Sequence, residues 1–286
     1  MAHETPLVLI TGCGSGIGHA LALALHRQGL KVCATARRME TLTELTQAGL
    51  LTRSLDVTRA DDIARLMTGL HAEGWQVGAL INNAGFGAMG PILDVSDEAW
   101  RHQFEVNLFA PMAMVRAVVP DMRALGRGRV INISSVSGIL TTPFAGPYCA
   151  SKAAMNAASD ALRMELAPLG IEVITVQPGG IQSAFGQTAA QQINLAPDSP
   201  YQAVKAGVMA RANESQDRAT PIGEFIDGLV AQLMRPDCPP VVRLGSKSRL
   251  LPFLKRHVPV RLLDRMLSKR FQLDQMPPLP GAERPR

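Results

Sequence analysis

Residues 7–18 of the chain read LVLITGCGSGIG, and this stretch predicts more of the fold than any other. Residues 7–11 are an apolar run between Pro6 and Gly12, the pattern of a strand buried on both faces of a parallel sheet. The following residues are rich in glycine, and the Ala- and Leu-rich segment after them is typical of a helix that ends at Gly29. The stretch therefore predicts a strand, a tight turn and a helix in immediate succession.

The glycines of this turn, Gly12, Gly16 and Gly18, stand in the strand–turn–helix context that a dinucleotide site requires. Such a turn lets a pyrophosphate approach the backbone, and the N-terminus of the next helix presents N–H groups and a partial positive charge. A glycine-rich turn without a ligand is the competing interpretation, and the context makes it the less favoured one. We predict a dinucleotide site here.

Apolar runs that indicate buried strands alternate with helical patterns along the rest of the chain. Further strands are predicted at 31–36, in a short segment that ends at residue 57, and at 77–81, 129–134, 171–177 and 240–244. Helices are predicted at 39–49, 59–73, 97–125, 147–168 and 220–234. The alternation predicts an α/β fold: a single Rossmann-type, doubly wound domain with a mostly seven-stranded parallel sheet flanked by helices. This domain would span residues 1–246, with the more polar segment 183–223 as a substrate lid.

The composition disfavours several classes of protein. The chain has 286 residues, 47% of them apolar and 19% charged, which is ordinary for a globular protein. Its first residues lack a secretory pattern, and no apolar run of about 18 residues predicts a membrane-spanning helix. Its four cysteines are scattered, without the spacing of a metal site. We therefore expect a cytoplasmic protein without a metal.

The net charge of +5 is concentrated near the C-terminus, where residues 243–270 contain nine Lys or Arg and one acidic residue. Because the rest of the chain is slightly acidic, we do not expect nucleic-acid binding. Residues 247–272 mix these bases with apolar side chains and predict a helical C-terminal extension, and 273–286 predict a disordered tail. The extension has two interpretations: a hairpin that covers the pocket, which we favour, or a peripheral contact with an anionic membrane.

A second stretch, residues 134–152, carries groups suited to proton transfer. It ends in Tyr148 and Lys152, whose spacing places both side chains on one face of a helix. At about 4 Å and an effective dielectric of about 20, an ammonium stabilises a phenolate by about 4 kcal/mol. We therefore expect Lys152 to lower the pKa of Tyr148 towards neutrality. The pair alone is a weak signal, because such residues are more often a packed ring and a solvated charge.

Arg37 and Arg38 follow the second predicted strand, where NAD-binding folds often carry an acidic residue for the ribose hydroxyls. No acidic residue lies between Lys31 and Arg38, and an arginine can accommodate a 2′-phosphate. The sequence thus favours NADP(H) over NAD(H). Two arginines solvated at a strand end are the competing interpretation, stronger for Arg38 than for Arg37.

Together these motifs resemble the classical short-chain dehydrogenase/reductase family, in particular its steroid and retinol dehydrogenase branch. The resemblance covers about residues 5–245. It rests on the order and spacing of TGCGSGIG (11–18), Arg37, Asp56-Val57, NNAG (82–85), Asn107, Ser135, Tyr148-x-x-x-Lys152 and PGG (178–180). Ser135 matches the family's serine better than Ser134 because it lies thirteen residues before Tyr148.

The resemblance implies an oxidoreductase that interconverts an alcohol and its ketone or aldehyde by hydride transfer. Tyr148 would be the general acid or base, Lys152 would assist it and hold the nicotinamide ribose, and Ser135 would bind the substrate oxygen. Asn107 would anchor a water that connects Lys152 with solvent. The implied cofactor contacts are Gly12, Ser15, Gly16, Ile17, Gly18, Arg37, Arg38, Asp56, Val57, Asn83, Ala84, Gly85, Tyr148, Lys152, Pro178, Gly179 and Ile181.

We expect a small apolar carbonyl or alcohol substrate, such as a steroid, a retinoid or a lipid. Besides Ser135, four side chains that flank the motif ends are pocket candidates, each competing with an ordinary core role: Phe86, Leu140, Phe144 and Phe185. The resemblance also implies a homodimer or homotetramer. A non-catalytic NADP(H)-binding redox sensor is the alternative function, but such proteins tend to lose the tyrosine or lysine that this chain keeps.

Overall fold

The computed structural model describes residues 5–183, 185–191, 193 and 195–277, and its centre is a seven-stranded sheet. The strands are β1 (Leu7–Ile10), β2 (Val32–Ala36), β3 (Leu51–Ser54), β4 (Val77–Asn82), β5 (Gly128–Ile133), β6 (Ile171–Val176) and β7 (Val241–Val242). They lie in the order β3-β2-β1-β4-β5-β6-β7, and all neighbours are parallel. The predicted Rossmann-type, doubly wound sheet is confirmed.

Helices cover both faces of the sheet. They are α1 (Gly16–Arg27), α2 (Thr43–Gln47), α3 (Ala60–Ala72), α4 (Asp97–Phe104), α5 (Ala110–Ala124), α6 (Gly146–Leu166), α7 (Phe185–Gln191), α8 (Lys205–Asn213), α9 (Ile222–Leu233), α10 (Leu250–His257) and α11 (Val260–Arg270). One core cluster joins the sheet to α1 and α9, and a second joins it to α3 and α5. Burial on both faces explains why the strand sequences are apolar throughout.

The long helix predicted at 97–125 is interrupted. Its start is as predicted, since the Ser96 hydroxyl accepts a hydrogen bond from the Ala99 N–H (3.2 Å), but Glu105–Phe109 form a π-helical segment between α4 and α5. Proline at position 111 has no N–H to donate to the carbonyl of Asn107, four residues earlier, so the regular hydrogen-bond pattern breaks there. The π segment contains Asn107 and packs against α6.

Two other predicted elements are shorter than expected. The helix predicted at 39–49 is a 3-10 turn, Met39–Leu42, followed by the short α2. The third strand ends at Ser54, so Asp56 and Val57 lie in the loop after it. Loop residues at the carboxyl end of a strand are well placed to reach a ligand.

Helices α10 and α11 form a helical hairpin that packs beside residues 183–223, the segment predicted to be a lid and called the lid segment below. The lid contains α7, α8 and two 3-10 turns, Pro200–Val204 and Glu214–Gln216. A Cβ on Gly207 of α8 would collide with the carbonyl oxygen of Phe271, so the two segments approach closely. Within the described residues, none of the helices is both long enough and apolar enough to cross a membrane.

The disordered tail predicted from residue 273 begins later than expected. Leu273–Gln275 form a 3-10 turn, and Leu273 and Met276 pack against the buried cluster that contains Phe144 and Phe271. This apolar contact orders the start of the segment. Residues 278–286, on which the rest of that prediction falls, lie outside the described part of the chain.

Candidate active site

A large cavity, about 1430 Å³, opens at the carboxyl ends of the strands. The order of the strands reverses between β1 and β4, and open α/β sheets bind ligands in the crevice at such a reversal. Ordinary ligand pockets have volumes of about 300–1,000 Å³. The cavity is therefore large enough to hold two molecules side by side.

The glycine turn after β1 forms one wall of the cavity. Gly12 has a φ of +73°, and a Cβ on it would lie 2.7 Å from the Cα of Ala84. The Thr11 hydroxyl accepts hydrogen bonds from the backbone N–H groups of Asn83 and Ala84, both at 3.1 Å. The turn is thus fixed to the end of β4, with Ser15, Gly16 and Ile17 open to the cavity at the start of α1. A side-chain-free backbone at a helix N-terminus suits a pyrophosphate.

Gly18 does not line the cavity, and its contact with the cofactor stays a prediction. A Cβ on Gly18 would collide with the Asn83 side-chain amide and with the Gly12 carbonyl oxygen. That amide donates to the carbonyl oxygens of Thr11 (3.0 Å) and Gly12 (2.9 Å). Gly18 therefore allows α1 to pack closely on the sheet, and the side chain of Asn83 holds the turn in place.

The ends of β2 and β3 form a charged part of the cavity wall. Arg37 and Arg38 are exposed there, and within the described residues neither has a carboxylate within ion-pair distance. Burial acts to raise the pKa of the Asp56 carboxyl, but two hydrogen bonds from Thr58 and the charges of Arg37 and Arg59 hold it below its ordinary value. Two free guanidinium groups at this edge fit a phosphate on a nucleotide.

Ser135 and Tyr148 meet at the other end of the cavity. Burial of Tyr148 raises its pKa to about 12, and a hydrogen bond with the Ser135 hydroxyl opposes the rise. Cys149 adds to the rise, whereas the charge of Arg211 works against it. The expected lowering towards neutrality by Lys152 is therefore wrong in this structure, because removal of the phenol from water outweighs the charges near it.

Lys152 points towards the end of β5. Its Nζ donates a hydrogen bond of 2.8 Å to the carbonyl oxygen of Ile133, and burial lowers its pKa to about 8. A Cβ on Gly85 would lie 3.8 Å from that Nζ, so the backbone of the NNAG motif passes close to the ammonium. Lys152 lines the same cavity as Ser135, Tyr148 and the glycine turn.

Asn107 is buried in the π segment and does not line the cavity. Its Oδ1 accepts from the N–H of Phe86 (3.2 Å), and its Nδ2 donates to the carbonyl of Phe86 (3.0 Å) and to the Ser151 hydroxyl (3.1 Å). The side-chain amide is thus occupied by protein groups, which excludes a solvent-facing side chain. Asn107 connects the loop after β4 with α6, the helix that carries Tyr148 and Lys152.

Three of the four aromatic and aliphatic pocket candidates line the cavity: Phe86, Leu140 and Phe185. The Phe185 ring lies 5.4 Å from the Tyr148 ring, centroid to centroid. Phe144 does not line the cavity, and its contact with the substrate stays a prediction. Its backbone has a φ of +61°, and its side chain packs under the lid with Val204, Val208 and Phe271.

Two further parts of the cavity wall lie outside the motifs: α8, which sequence reasoning missed, and the hairpin, which was favoured as a cover for the pocket. Arg211 of α8 is buried there, and its Nε donates a hydrogen bond to the Thr142 hydroxyl. The hairpin contributes apolar side chains to the wall: Leu250, Leu251, Leu254, Leu263, Met266 and Leu267. Their helical spacing could have indicated an inward face. A lone arginine in a polar segment offers no such signal.

These walls define what the cavity can do chemically. A protonated phenol and a hydroxyl meet at a point where an oxygen atom of a ligand could accept or donate a hydrogen bond. The glycine turn and the two free arginines fit a phosphorylated dinucleotide. The remaining wall combines apolar side chains of the hairpin with the charged groups of Arg211, Glu214, Asp217, Lys247 and Arg270.

Comparison with known proteins gives a consistent result. The sequence profile described as short chain dehydrogenase matches residues 6–194. The chain is 39% identical to the short-chain dehydrogenase ptmH of Penicillium ochrochloron, over 74% of this chain and 78% of that protein. It is 34% identical to the NADPH-dependent 1-acyldihydroxyacetone phosphate reductase of Schizosaccharomyces pombe, over 79% and 78% of the two chains.

Solved structures are similar over nearly the whole chain. A short-chain dehydrogenase from Streptomyces avermitilis matches with a TM-score of 0.79 and 29% identity, covering 96% of this chain and 99% of that one. A short chain dehydrogenase from Burkholderia cenocepacia in complex with NADP matches with a TM-score of 0.71 and 26% identity, covering 93% and 99%. The similarity therefore includes the lid and the hairpin region, beyond the part that the sequence profile matches.

Proposed function

The chain belongs to the short chain dehydrogenase family, and on that premise we propose that it is an NADP(H)-dependent oxidoreductase that interconverts an alcohol with its ketone or aldehyde. The observation that carries the proposal is a single cavity that is lined by Ser135, Tyr148 and Lys152 and also by the glycine turn. A proton donor and an oxygen-binding hydroxyl at one end, and a nucleotide cradle at the other, are the parts that hydride transfer to a carbonyl needs.

In this mechanism Ser135 and Tyr148 bind the carbonyl oxygen, and Tyr148 delivers the proton that converts the developing alkoxide into an alcohol. The nicotinamide, when bound, supplies or accepts the hydride. Lys152 would hold the nicotinamide ribose, and its ammonium would favour negative charge developing on the phenol. Asn107 positions α6 through its hydrogen bond to Ser151.

The pKa of Tyr148 suits the phenol to the role of a proton donor. A phenol with a pKa of about 12 keeps its proton at neutral pH and is ready to act as a general acid. Oxidation would begin from the deprotonated form, which burial disfavours here.

NADP(H) rather than NAD(H) is favoured by Arg37 and Arg38, which are free to bind a 2′-phosphate. The Schizosaccharomyces pombe relative is NADPH-dependent, and the Burkholderia cenocepacia neighbour was solved with NADP. These likenesses support the same choice for this chain.

An apolar substrate is supported by the aliphatic side chains in the cavity wall, among them Leu140 before α6 and Leu254 and Leu263 of the hairpin. The acyl ketone named for the Schizosaccharomyces pombe relative is a lipid of this kind. The direct test follows NADPH absorbance with panels of long-chain ketones, aldehydes, steroids and retinal. Turnover of at least one apolar carbonyl is expected, and inactivity across the panels by protein that binds NADPH would contradict the proposal.

We also propose that the outer face of the hairpin touches anionic membranes. Phe253 and Val260 are 57% and 64% exposed there, and Lys255, Arg256 and Arg261 lie beside them. Apolar side chains flanked by bases suit an anionic lipid surface. Flotation with phosphatidylserine-containing liposomes tests this: binding at low salt that weakens as salt increases is expected, and no binding at low salt removes the idea.

A homodimer or homotetramer is proposed from the family resemblance. The exposed apolar side chains of Phe109, before α5, and Met164, on α6, support a contact through these helices. Sedimentation velocity measures the subunit number directly, and a monomer at micromolar concentration would contradict the proposal.

A further inference from the structure

We propose that Arg211 binds an anionic group of the substrate, so that the preferred substrate is an apolar carbonyl compound with a carboxylate or phosphate head group. The proposal rests on the proposed function, because it names the substrate class of that same site.

Arg211 lies in α8 at the reaction end of the cavity. It lines the cavity and is only 5% exposed. The next residue, Ala212, packs in the cluster that contains Tyr148 and Cys149. The charge of Arg211 also acts on the phenol of Tyr148. The guanidinium is therefore part of the wall that faces a substrate held by Ser135 and Tyr148.

The charge of Arg211 has no protein counter-ion in the described part of the chain, where no carboxylate lies within 4 Å of it. Its hydrogen bond through Nε goes to the neutral hydroxyl of Thr142. A guanidinium has five N–H donors, so most of its capacity is left for another acceptor. Buried charges in proteins are normally paired, because an unpaired ion away from water is strongly disfavoured.

The other charged groups of the lid wall neutralise one another. Glu214 receives Lys247 at 2.9 Å and Arg270 at 2.7 Å, and Asp217 lies 3.6 Å from Lys247 and 3.4 Å from Arg270. These two carboxylates are thus engaged with bases from the C-terminal segment. Arg211, on the same side of the cavity, stays available for a ligand.

The chemistry of the cavity assigns this ligand to the substrate. The phosphate groups of a dinucleotide have their own partners, the glycine turn at the start of α1 and the two arginines after β2. Arg211 instead contacts Thr142, in the segment between Ser135 and Tyr148. A guanidinium matches the two oxygen atoms of a carboxylate or phosphate, and this geometry favours both over a neutral polar group.

The test uses two matched pairs of carbonyl substrates with NADPH: a long-chain oxo acid with its methyl ester, and a long-chain ketone phosphate monoester with its free alcohol. We expect Arg211→Met to lower kcat/KM for the anionic member by about 100-fold, mainly through KM. The neutral member should change by less than about threefold, and Arg211→Lys should retain part of the anionic preference. The pair with the larger loss identifies carboxylate or phosphate as the head group.

Lys205→Met is the matched control, because it removes the same charge from an exposed position of the same helix. It should leave kcat/KM unchanged for all four substrates. Thermal melting and NADPH titration confirm that each variant is folded. Equal losses for the charged and neutral members in Arg211→Met, or an unchanged anionic preference, would overturn the proposal.

A binding measurement separates this proposal from the proposed function. Calorimetric titration of the NADP+ complex with dodecanoate, dodecyl phosphate and methyl dodecanoate needs no turnover. Tighter binding of either anion than of the ester, lost in Arg211→Met and kept in Lys205→Met, supports the anion site even if no carbonyl compound is reduced. Equal binding of all three by the unchanged protein would overturn it.

Discussion

Tyr148 and Lys152 lie one helical turn apart in α6, yet burial moves their pKa values in opposite directions. The pKa of the phenol rises to about 12, and the pKa of the ammonium falls to about 8. Burial disfavours the charged form of each group, which is the phenolate in one case and the ammonium in the other. The tyrosine therefore keeps its proton at neutral pH, and the lysine is the group of the pair that titrates near it.

This difference predicts the pH dependence of reduction. The pKa of Lys152 is lowered from 10.5 to about 8, so its charge is present below pH 8 and is lost above it. We expect kcat/KM for NADPH to be level below pH 8 and to fall as pH rises through that value. Ser135→Ala should be slower with the same inflection, since it leaves Lys152 in place. A level profile to about pH 10 would contradict the role of the ammonium.

Removing the phenolic hydroxyl separates catalysis from binding. Tyr148→Phe should lower kcat by about 1,000-fold, because the proton donor is lost. NADPH binding, measured by fluorescence titration, should remain within about threefold, since the ring and its packing are kept. If the cellular effect of the protein is unchanged when this variant replaces the original protein, catalysis is not the function. The redox-sensor alternative is then correct instead.

The two free arginines predict the cofactor preference. Arg37→Ala should raise KM for NADPH by about tenfold and leave KM for NADH unchanged, because only NADPH carries the 2′-phosphate. Arg38→Ala should have the smaller effect. Arg27→Ala, at the exposed end of α1 and away from the cavity, is the control. Equal changes in KM for NADPH and for NADH would mean that the 2′-phosphate binds elsewhere.

At the scale of elements, the sequence predicts the strands well because each is buried on both faces and therefore apolar throughout. The break of the helix at Glu105–Phe109 was missed, although Pro111 signals it. The π segment has only five residues, too few for the spacing of apolar side chains to reveal it, so the pattern alone predicts a continuous helix. A missing N–H donor is the more informative signal there.

The contact between the lid and the hairpin depends on a single missing side chain. Gly207→Ala should place a methyl group against the Phe271 carbonyl and displace the hairpin, at a cost of about 1–3 kcal/mol in the free energy of unfolding. We expect a lower Tm and faster proteolysis after residue 246. Gly223→Ala is the matched control, because a Cβ at Gly223 in α9 meets no atom within 4 Å. Equal Tm values and equal rates of proteolysis for the two variants would show that the close approach of the two segments does not constrain the hairpin.

At the scale of the whole molecule, one part of the cavity wall can be predicted from the sequence and another part cannot. The motifs at the carboxyl ends of the strands converge because parallel strands share that edge, so topology alone brings Gly12, Ser135 and Ile181 to one cavity. Arg211 and Phe144 depend on how the lid folds back over the sheet. Neither position belongs to a regular pattern, so Phe144 was assigned to the pocket and Arg211 was missed.

The position of the hairpin after the last strand of the sheet has a consequence for how this protein can diversify. It begins after β7, so it can be exchanged without interrupting any strand or any group assigned to hydride transfer. Recombination at residue 246 is thus a route by which an ancestral gene could acquire new substrates and retain its redox chemistry. In the laboratory the same junction offers a grafting point: hairpins from relatives, joined here, would make a library that varies in selectivity and shares one cofactor.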